Sequence, residues 1–308
     1  MPVPQVATDL HGHTLFSDGR ATPEAYVAFR AAQGMRVVAV SDHDVMTAVR
    51  RAALAAAPAR MLVVPAMEVS SFVHLGTSEA EQLHVLAYFP PSVLLGDRLE
   101  RTALYQRGLR VQARWKDFVL AWLDGLPAED RDAVDPDRDL AALTPERFPA
   151  LQSLIDRVVS RRRPLYEALR RHHVRFWDDH ELFGWTPEEA IEHIRADGAV
   201  DVVAHAGRYR DRERTRRVLE MASGVEVYTS RHKPEVAAEL RAFAEARGKM
   251  WTASSDDHQN ARYMRPPEGT PVTTLERILG RPVPVDLFCA SRELDGTATG
   301  SPPGERRA

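Results

Sequence analysis

The sequence predicts an α/β fold in which about seven strands close into a barrel and a helical insertion covers one end. Short apolar, often β-branched runs alternate with segments that carry helix start and stop signals. This strand-then-helix order is typical of a parallel sheet. The middle of the chain interrupts the alternation, because it holds long helical patterns and no convincing strand.

The predicted strands share a high content of apolar and β-branched residues. They cover residues 3–10, 36–40, 61–66, 83–88, 200–204, 224–228 and 250–253. In barrels built from such units, functional side chains gather at the C-terminal ends of the strands. Polar residues that follow these strands are therefore expected to form one cluster.

Helix signals lie between several of these strands. The pair Thr22-Pro23 is predicted to start a helix, with Thr as N-cap and Pro in the first turn, and Gly34 to end it. The pair Thr186-Pro187 is predicted to start another helix, which ends near Gly198. These signals place helices between strands, as the barrel requires.

The predicted domain organisation has two barrel parts around a helical middle. Residues 1–93 and 181–290 form the barrel, 94–180 form a helical insertion that caps its C-terminal face, and 291–308 form a disordered tail. Within the insertion, residues 99–123 and 151–173 have helical patterns, whereas the acidic stretch 124–139, with two prolines, is predicted as a loop.

The composition bounds the class of protein. The chain has 308 residues, 44% of them hydrophobic, and a formal net charge of −3, which argues neither for nor against nucleic acid binding. The single cysteine, Cys289, excludes an intrachain disulfide and a Cys-rich zinc site. The N-terminus does not resemble a signal peptide and no apolar run approaches a membrane span. We therefore expect a cytoplasmic protein that needs no membrane and no obligate protein partner.

The most informative motif is His11-Gly12-His13, at the end of the first predicted strand. Side chains two residues apart on a strand point to the same face, so the two imidazoles are well placed to start a metal site. Further acidic and histidine residues sit in or just after the other apolar runs. They are Asp18, His43, Glu68, His84, His205, Asp256 and His258.

These motifs resemble a known family. The segments 9–14, 17–19, 41–44, 67–70, 204–209 and 254–258 are similar in order and spacing to motifs of the PHP (polymerase and histidinol phosphatase) metallophosphoesterases. The resemblance covers residues up to about 88 and from about 186 to 263. The later motifs are most similar to a bacterial branch that removes phosphate from nucleotides, including nucleoside 3′,5′-bisphosphates and short RNA ends.

The resemblance implies a distorted (β/α)7 barrel that holds two to three divalent metal ions. It implies that one metal is held by His11, His13, Glu68 and Asp256, a second by Glu68, His84 and His205, and a third by Asp18, His43 and His258. Mixed imidazole and carboxylate ligands suit Mn, Fe or Zn and discriminate poorly among them.

Each predicted ligand also has an ordinary structural interpretation. Asp18 before a glycine is typical of a turn, and His84 alone would be an ordinary core histidine. His74 is a rival to His84, but it lies in a predicted loop, whereas His84 lies inside an apolar run. Asp42 and Asp44 are better candidates for carboxylates that orient metal-bound histidines than for ligands.

Arginines indicate a phosphorylated substrate. Arg208, three residues beyond a ligand, is predicted to contact a metal-bound phosphate, and Arg231 and His232 to contact substrate similarly. Other arginines crowd the chain after His205 and within the insertion, where a solvated helix face is the simpler interpretation. These are Arg210, Arg212, Arg214, Arg216 and Arg217, and Arg157, Arg161, Arg162, Arg163, Arg170 and Arg171.

The sequence therefore predicts hydrolysis of nucleotide phosphate monoesters, such as those of a nucleoside monophosphate or 3′,5′-bisphosphate, by a metal-activated hydroxide. Arg208 would offset developing charge, and Asp44, a metal-bound water or His232 would protonate the leaving oxygen. The alternatives are 5′–3′ exoribonuclease activity on short RNA, a histidinol-phosphatase-like activity, an amidohydrolase-like metalloenzyme and a metal-binding regulatory module.

Overall fold

A computed structural model describes residues 4–260 and 269–283. The strands are β1 Gln5–Val6, β2 Thr8–Asp9, β3 Val37–Val40, β4 Leu62–Val73, β5 Glu81–Tyr88, β6 Val200–Val203, β7 Gly224–Tyr228, β8 Met250–Ala253 and β9 Thr270–Pro271. The helices are α1 Pro23–Ala32, α2 Val49–Ala56, α3 Ala103–Asp124, α4 Ala128–Val134, α5 Leu151–Arg162, α6 Tyr166–His173, α7 His180–Phe183, α8 Pro187–Ala196, α9 Arg212–Met221, α10 Pro234–Ala246 and α11 Val272–Leu279. The predicted tail and Cys289 lie outside the described residues.

The main sheet has seven strands, β2 to β8, which are neighbours in chain order. The first and last segments of this sheet meet through a parallel bridge between Gly12 and Asp257. At this bridge the His13 N–H donates to the Asp257 carbonyl at 3.1 Å and the Asp256 N–H donates to the His11 carbonyl at 2.8 Å. The sheet therefore closes into the predicted distorted seven-strand barrel.

The expectation of an all-parallel sheet is wrong at β5. This strand runs antiparallel to both β4 and β6, while the other neighbouring pairs are parallel. A turn without a helix joins β4 to β5, and only an antiparallel hairpin can be closed by so short a connection. His74 lies in this turn and half of its side chain is exposed, as the sequence indicated.

The two faces of the strands pack against different partners. Val37 and Ala39 of β3 belong to a buried cluster that includes residues of α11, whereas Val38 and Val40 pack with residues of α1 and α2. This alternation follows from the period of two along a strand. The two helix starts predicted from sequence are also confirmed, since the Thr22 hydroxyl caps α1 and Thr186 forms a capping box at α8.

Helices α3 to α7 lie between β5 and β6, and α3 to α6 build their own apolar cluster, to which Val119, Leu154 and Leu169 contribute. The prediction of a loop over 124–139 is wrong in part, because α4 occupies Ala128–Val134. The predicted helical run 151–173 is interrupted by a 3-10 turn at Arg163–Leu165. Pro164 explains this break, since proline supplies no backbone N–H for the helix.

Among the described residues, no helix is both long and apolar enough to cross a membrane.

Candidate metal centre

The structure brings the nine predicted ligands together at one end of the barrel. His11 and His13 follow β2, His43 follows β3, His205 follows β6, and Asp256 and His258 follow β8. Glu68 and His84 lie within β4 and β5, and Asp18 lies in a turn beyond His13. Because the parallel strands end at the same rim, residues far apart in sequence become neighbours in space.

Glu68 lies at the centre of the cluster and is fully buried. Its Oε1 is 2.8 Å from His84 Nδ1 and 3.0 Å from His205 Nε2. Its Oε2 is 3.0 Å from His11 Nε2 and 3.2 Å from both His13 Nε2 and His43 Nδ1. One carboxylate therefore faces five imidazoles, which is the position of a carboxylate that bridges metal ions.

Three overlapping groups of side chains have ligand atoms within 4.8 Å of one another. They are His13, Asp18, His43 and His258; His11, His13, Glu68 and Asp256; and His43, Glu68 and His84. The grouping differs from the expected one in three respects: His13 and His43 each belong to two groups, and His205 belongs to none of the three. His205 joins the cluster through its contacts with Glu68 and His84. The His205 Nε2 atom lies 3.4 Å from His84 Nδ1.

The donor atoms of this cluster fit divalent metal ions. Five buried ligand atoms make no hydrogen bond of acceptable geometry with the described residues, even where a polar atom lies nearby: His13 Nδ1, His43 Nδ1, Glu68 Oε2, His84 Nε2 and His205 Nδ1. Buried polar atoms are almost always satisfied in proteins, so such a group in one place indicates that a ligand completes it. The Nε2 atoms of His11 and His13 also face each other at 3.2 Å, as two ligands of one ion would.

Without a metal, protons stabilise the cluster. Burial alone would lower the pKa of His13, but Asp18, Asp256 and Glu68 outweigh it and raise the pKa to about 10. Burial dominates at His43 and lowers its pKa to about 4. Burial opposes ionisation of Glu68, yet the surrounding histidines hold its pKa well below its usual range. A divalent ion that binds here replaces these protons, because its ligands must be deprotonated.

Glu226 is a functional residue that the sequence reasoning missed. It is fully buried in β7, where its Oε1 accepts from His11 Nδ1 at 2.9 Å and its Oε2 accepts from the His205 N–H at 2.7 Å. Ser254 Oγ donates to the same carboxylate. A carboxylate in this position fixes the tautomer and orientation of a metal-binding histidine. The signal in the sequence is the single charged residue in the apolar run Gly224–Tyr228.

A buried hydrogen-bond network around Arg30, which was not predicted from the sequence, joins the first and last strands of the barrel. Arg30 Nε donates to Asp9 Oδ2 at 2.9 Å and its Nη2 donates to Asp257 Oδ2 at 3.2 Å. The Ser255 N–H donates to Asp9 Oδ1 at 2.8 Å. These bonds tie the segment that carries His11 to the segment that carries Asp256.

Three site residues adopt left-handed backbone conformations, Asp44 with φ of 56°, His205 with 29° and Asp256 with 53°. Non-glycine residues with positive φ are uncommon and tend to occur at functional sites. Each follows a strand of the barrel, at a point where the chain turns sharply beside the ligand cluster.

The two aspartates expected to orient histidines do not contact an imidazole. Asp42 accepts hydrogen bonds from the Thr14 N–H and from the hydroxyls of Thr14 and Ser17, so it shapes the loop after His13.

Asp44 forms an ion pair with Arg107, in which Asp44 Oδ1 lies 2.6 Å from Arg107 Nη1. Burial would raise the pKa of Asp44, but Arg107 and the Ser70 N–H lower it below its ordinary value. An ionised Asp44 has no proton to give, so the structure offers no support for its predicted role as an acid.

The predicted substrate-binding residues occupy different positions. Arg231 Nε donates to Asp256 Oδ2 at 2.6 Å, and its Nη2 lies 3.4 Å from His258 Nδ1, so it borders the cluster directly. Arg208 is exposed in a 3-10 turn that follows His205. His232 donates through Nδ1 to the Val227 carbonyl and accepts from the Gly207 N–H at Nε2. Both of its nitrogens are thus used by the backbone, which does not favour a role in proton transfer.

Five of the eleven other arginines form ion pairs with acidic side chains, as expected for a solvated helix face. Arg210, Arg214 and Arg217 pair with glutamates. Arg157 and Arg162 of α5 pair with acidic residues at Asp135 and Asp130. These five arginines therefore have structural partners at the surface and need no substrate to explain them.

A cavity of about 610 Å³ lies between the ligand cluster and the helical segment. Asp18, His43 and His84 line one part of it. Aromatic side chains line another part: Phe16, Trp115, Phe148, Phe176 and Trp177. Arg147 and His173 of the helical segment also border the cavity. The metal ligands therefore face a partly apolar chamber rather than open solvent alone.

Comparison with known proteins connects this geometry to a family. Residues 9–113 match the family model described as the PHP domain. No curated protein matches the chain.

Among solved structures, the chain is similar to a protein from Bifidobacterium adolescentis assigned as a metal-dependent phosphoesterase. The two share 22% sequence identity with a TM-score of 0.62, and the match covers 92% of this chain and 99% of that one. It is also similar to an amidohydrolase from Chromobacterium violaceum, with bound sulfate and no metal, with 21% identity, a TM-score of 0.59 and coverage of 92% and 96%. At these identities the structural likeness concerns the fold.

Proposed function

Because residues 9–113 match the PHP domain model and nine histidine and acidic side chains cluster in the structure, we propose that the chain is a metal-dependent phosphoesterase that hydrolyses phosphate monoesters of nucleotides. The cluster around Glu68 supports the metal-dependent part. Structural metal sites are usually single, closed and four-coordinate, whereas eight of the nine side chains form three overlapping groups beside a cavity. This arrangement is typical of a catalytic centre and argues against a purely regulatory module.

The chain supplies the remaining elements of the reaction. Bound divalent ions would acidify water and offset negative charge on the phosphoryl group. Arg231, held by Asp256 at the edge of the cluster, presents its guanidinium where it can bind a phosphate oxygen. Arg208, exposed on the turn after His205, is the second cation that can reach the same group. Glu226 orients the His11 imidazole and holds the His205 backbone N–H.

The proposal that the substrate is a nucleotide rests on the aromatic side chains that line the cavity. A phosphate bound at the ligand cluster places the rest of the substrate against Phe16, Trp115 and Phe176. Such rings stack on the bases of nucleotides, and each stacked base contributes roughly 1–3 kcal/mol. Histidinol phosphate carries a smaller ring and an ammonium group, so this largely apolar chamber suits it less well.

One structural neighbour is an amidohydrolase, but the lysines of this chain do not support that alternative. Some amidohydrolase-like centres use a lysine that bridges the metals. Lys116 Nζ donates to the carbonyls of Ala141 and Leu143, and Lys249 Nζ donates to those of Glu220 and Ala222. Lys233 is exposed at the start of α10. None of the three lysines takes part in the ligand cluster.

The test is release of inorganic phosphate with added Mn²⁺ from a matched set of compounds. The set is a nucleoside monophosphate, a nucleoside 3′,5′-bisphosphate, histidinol phosphate and a short 5′-phosphorylated RNA, each with a chelator control. We expect chelator-sensitive release from a nucleotide in preference to histidinol phosphate. Release of mononucleotides from the RNA, rather than of inorganic phosphate from the smaller compounds, would replace the proposal by the exoribonuclease alternative. No release from any compound by a protein with confirmed bound Mn²⁺ would contradict it.

A further inference from the structure

Arg107 of α3 is almost completely buried, with 2% of its surface exposed. Its Nη1 donates to Asp44 Oδ1 at 2.6 Å, and its Nε and Nη2 donate to the Leu182 carbonyl at 3.0 and 2.7 Å. Its guanidinium also lies over the Trp185 ring, 4.4 Å from the centroid. Arg107 therefore joins three parts of the chain: the loop after β3, helix α3 and the segment around α7.

The next residue of α3 touches the same loop through its backbone. A Cβ on Gly108 would lie 2.9 Å from the Asp44 carbonyl oxygen and 3.2 Å from Val45 Cα. Both distances are shorter than ordinary van der Waals contacts, so the helix approaches the loop as closely as only glycine permits. The contact at Arg107 is thus part of a continuous interface between α3 and the loop.

Asp44 is fixed from the opposite side by β4. Its N–H donates to the Glu68 carbonyl at 2.9 Å, and its Oδ1 accepts from the Ser70 N–H at 2.9 Å. The residue adopts a left-handed conformation and directly follows the ligand His43. The loop that carries His43 is therefore clamped between β4 and α3, with the Asp44 carboxylate as the point where both hold it.

We propose that Arg107 is a positioning residue: through Asp44 it holds the His43 backbone and sets the place of the His43 imidazole in the group with His13, Asp18 and His258. The same contact aligns the helical segment, which forms one wall of the cavity, with the metal ligands. This inference shares one premise with the proposed function, that the cluster binds divalent ions, and it does not depend on the substrate.

The test is a Mn²⁺ titration of the purified full chain, followed by the electron paramagnetic resonance signal of free Mn²⁺. In the variant Arg107→Met we expect Mn²⁺ affinity to fall by about tenfold, the lower end of what removal of a supporting contact does at metal sites. The matched control is Arg114→Met, which removes an exposed ion pair with Asp179 from the same helix. It should bind Mn²⁺ like the unaltered protein.

Two further variants separate positioning from general stability. Arg107→Lys keeps a cation near Asp44 and should recover part of the affinity. The double variant Arg107→Met with Asp44→Asn removes the unpaired buried charge, so it should be more stable than Arg107→Met alone and still bind Mn²⁺ weakly. Binding equal to that of the unaltered protein in a folded Arg107→Met or in the double variant would overturn the positioning role. If the unaltered protein binds Mn²⁺ but releases no phosphate, the proposed function fails while the positioning test stands.

Discussion

The Glu226 carboxylate accepts a hydrogen bond from His11 Nδ1 at 2.9 Å, and neither side chain is exposed. This bond leaves His11 Nε2 as the nitrogen that faces Glu68 and Asp256. The tautomer of a central ligand is thus set from outside the ligand cluster, by a strand on the far side of the barrel from Glu68.

The first prediction concerns this bond. Glu226→Gln keeps the shape of the side chain but replaces the acceptor by a weaker one, so divalent metal affinity should fall about 10- to 100-fold. Mn²⁺ titration measures it. Glu220→Gln, which removes a surface contact with Arg247, is the control and should bind normally. Equal affinity in the two variants would show that Glu226 does not orient His11.

The second prediction concerns Asp256. Asp256→Asn keeps a residue that tolerates the left-handed backbone at this position while it removes the negative charge. Phosphate release should be abolished and the circular dichroism spectrum should be unchanged. Asp256→Ala should lose activity too, but with an added loss of about 1 kcal/mol in stability, because alanine disfavours this conformation. Full activity of either folded variant would exclude Asp256 as a ligand.

The third prediction concerns pH. The pKa of His13 is raised to about 10 in the folded metal-free protein, above its ordinary value of 6.5. The folded state therefore holds a proton that the unfolded state releases, and this contribution to stability is complete below pH 6.5. The free energy of unfolding of chelator-treated protein should fall between pH 6.5 and 10, as urea denaturation can measure. His13→Gln should flatten this decline.

Added divalent metal ions should oppose this loss of stability at higher pH. Bound ions need deprotonated ligands, so their affinity should rise over the pH range in which the metal-free protein loses stability. A metal-free protein whose stability is constant over that range would show that His13 is not protonated in the fold.

The fourth prediction concerns the aromatic wall. Trp115→Leu removes the ring, so KM for a nucleotide should rise by roughly tenfold, within the range for a lost stacking contact. Glycerol phosphate, which has no ring, should be hydrolysed with an unchanged KM. Trp115→Phe keeps a ring but loses the bond from Nε1 to the Pro149 carbonyl, and should be closer to the unaltered enzyme. Equal increases in KM for both substrates would indicate general distortion of the cavity rather than stacking.

Local signals in the sequence located most elements and all nine proposed ligands. The predicted strands 224–228 and 250–253 coincide with β7 and β8, because both are short apolar runs bounded by polar segments. The run 61–66 marks only the start of β4, which continues to Val73. Its continuation pairs with β5, and pairing partners are not visible in one stretch of sequence.

Contacts between distant segments were beyond the sequence. Glu226 lies 215 positions from His11, and Arg107 lies 63 positions from Asp44, so no local pattern links them. The predicted acid role of Asp44 depended on its place beside His43, but the buried guanidinium of Arg107 decides the charge of that carboxylate. The membership of His43 in two ligand groups likewise depends on how the strands are arranged around Glu68.

The sequence by itself determined the barrel class, because hydrophobic period and strand ends are local properties, and the resemblance of its motifs to a known family supplied the nine proposed ligands. Only the tertiary structure decided the antiparallel direction of β5, the partners that orient each ligand and the aromatic wall of the cavity. These depend on which buried polar groups satisfy one another once the chain has closed, and that pairing is a property of the whole packed molecule.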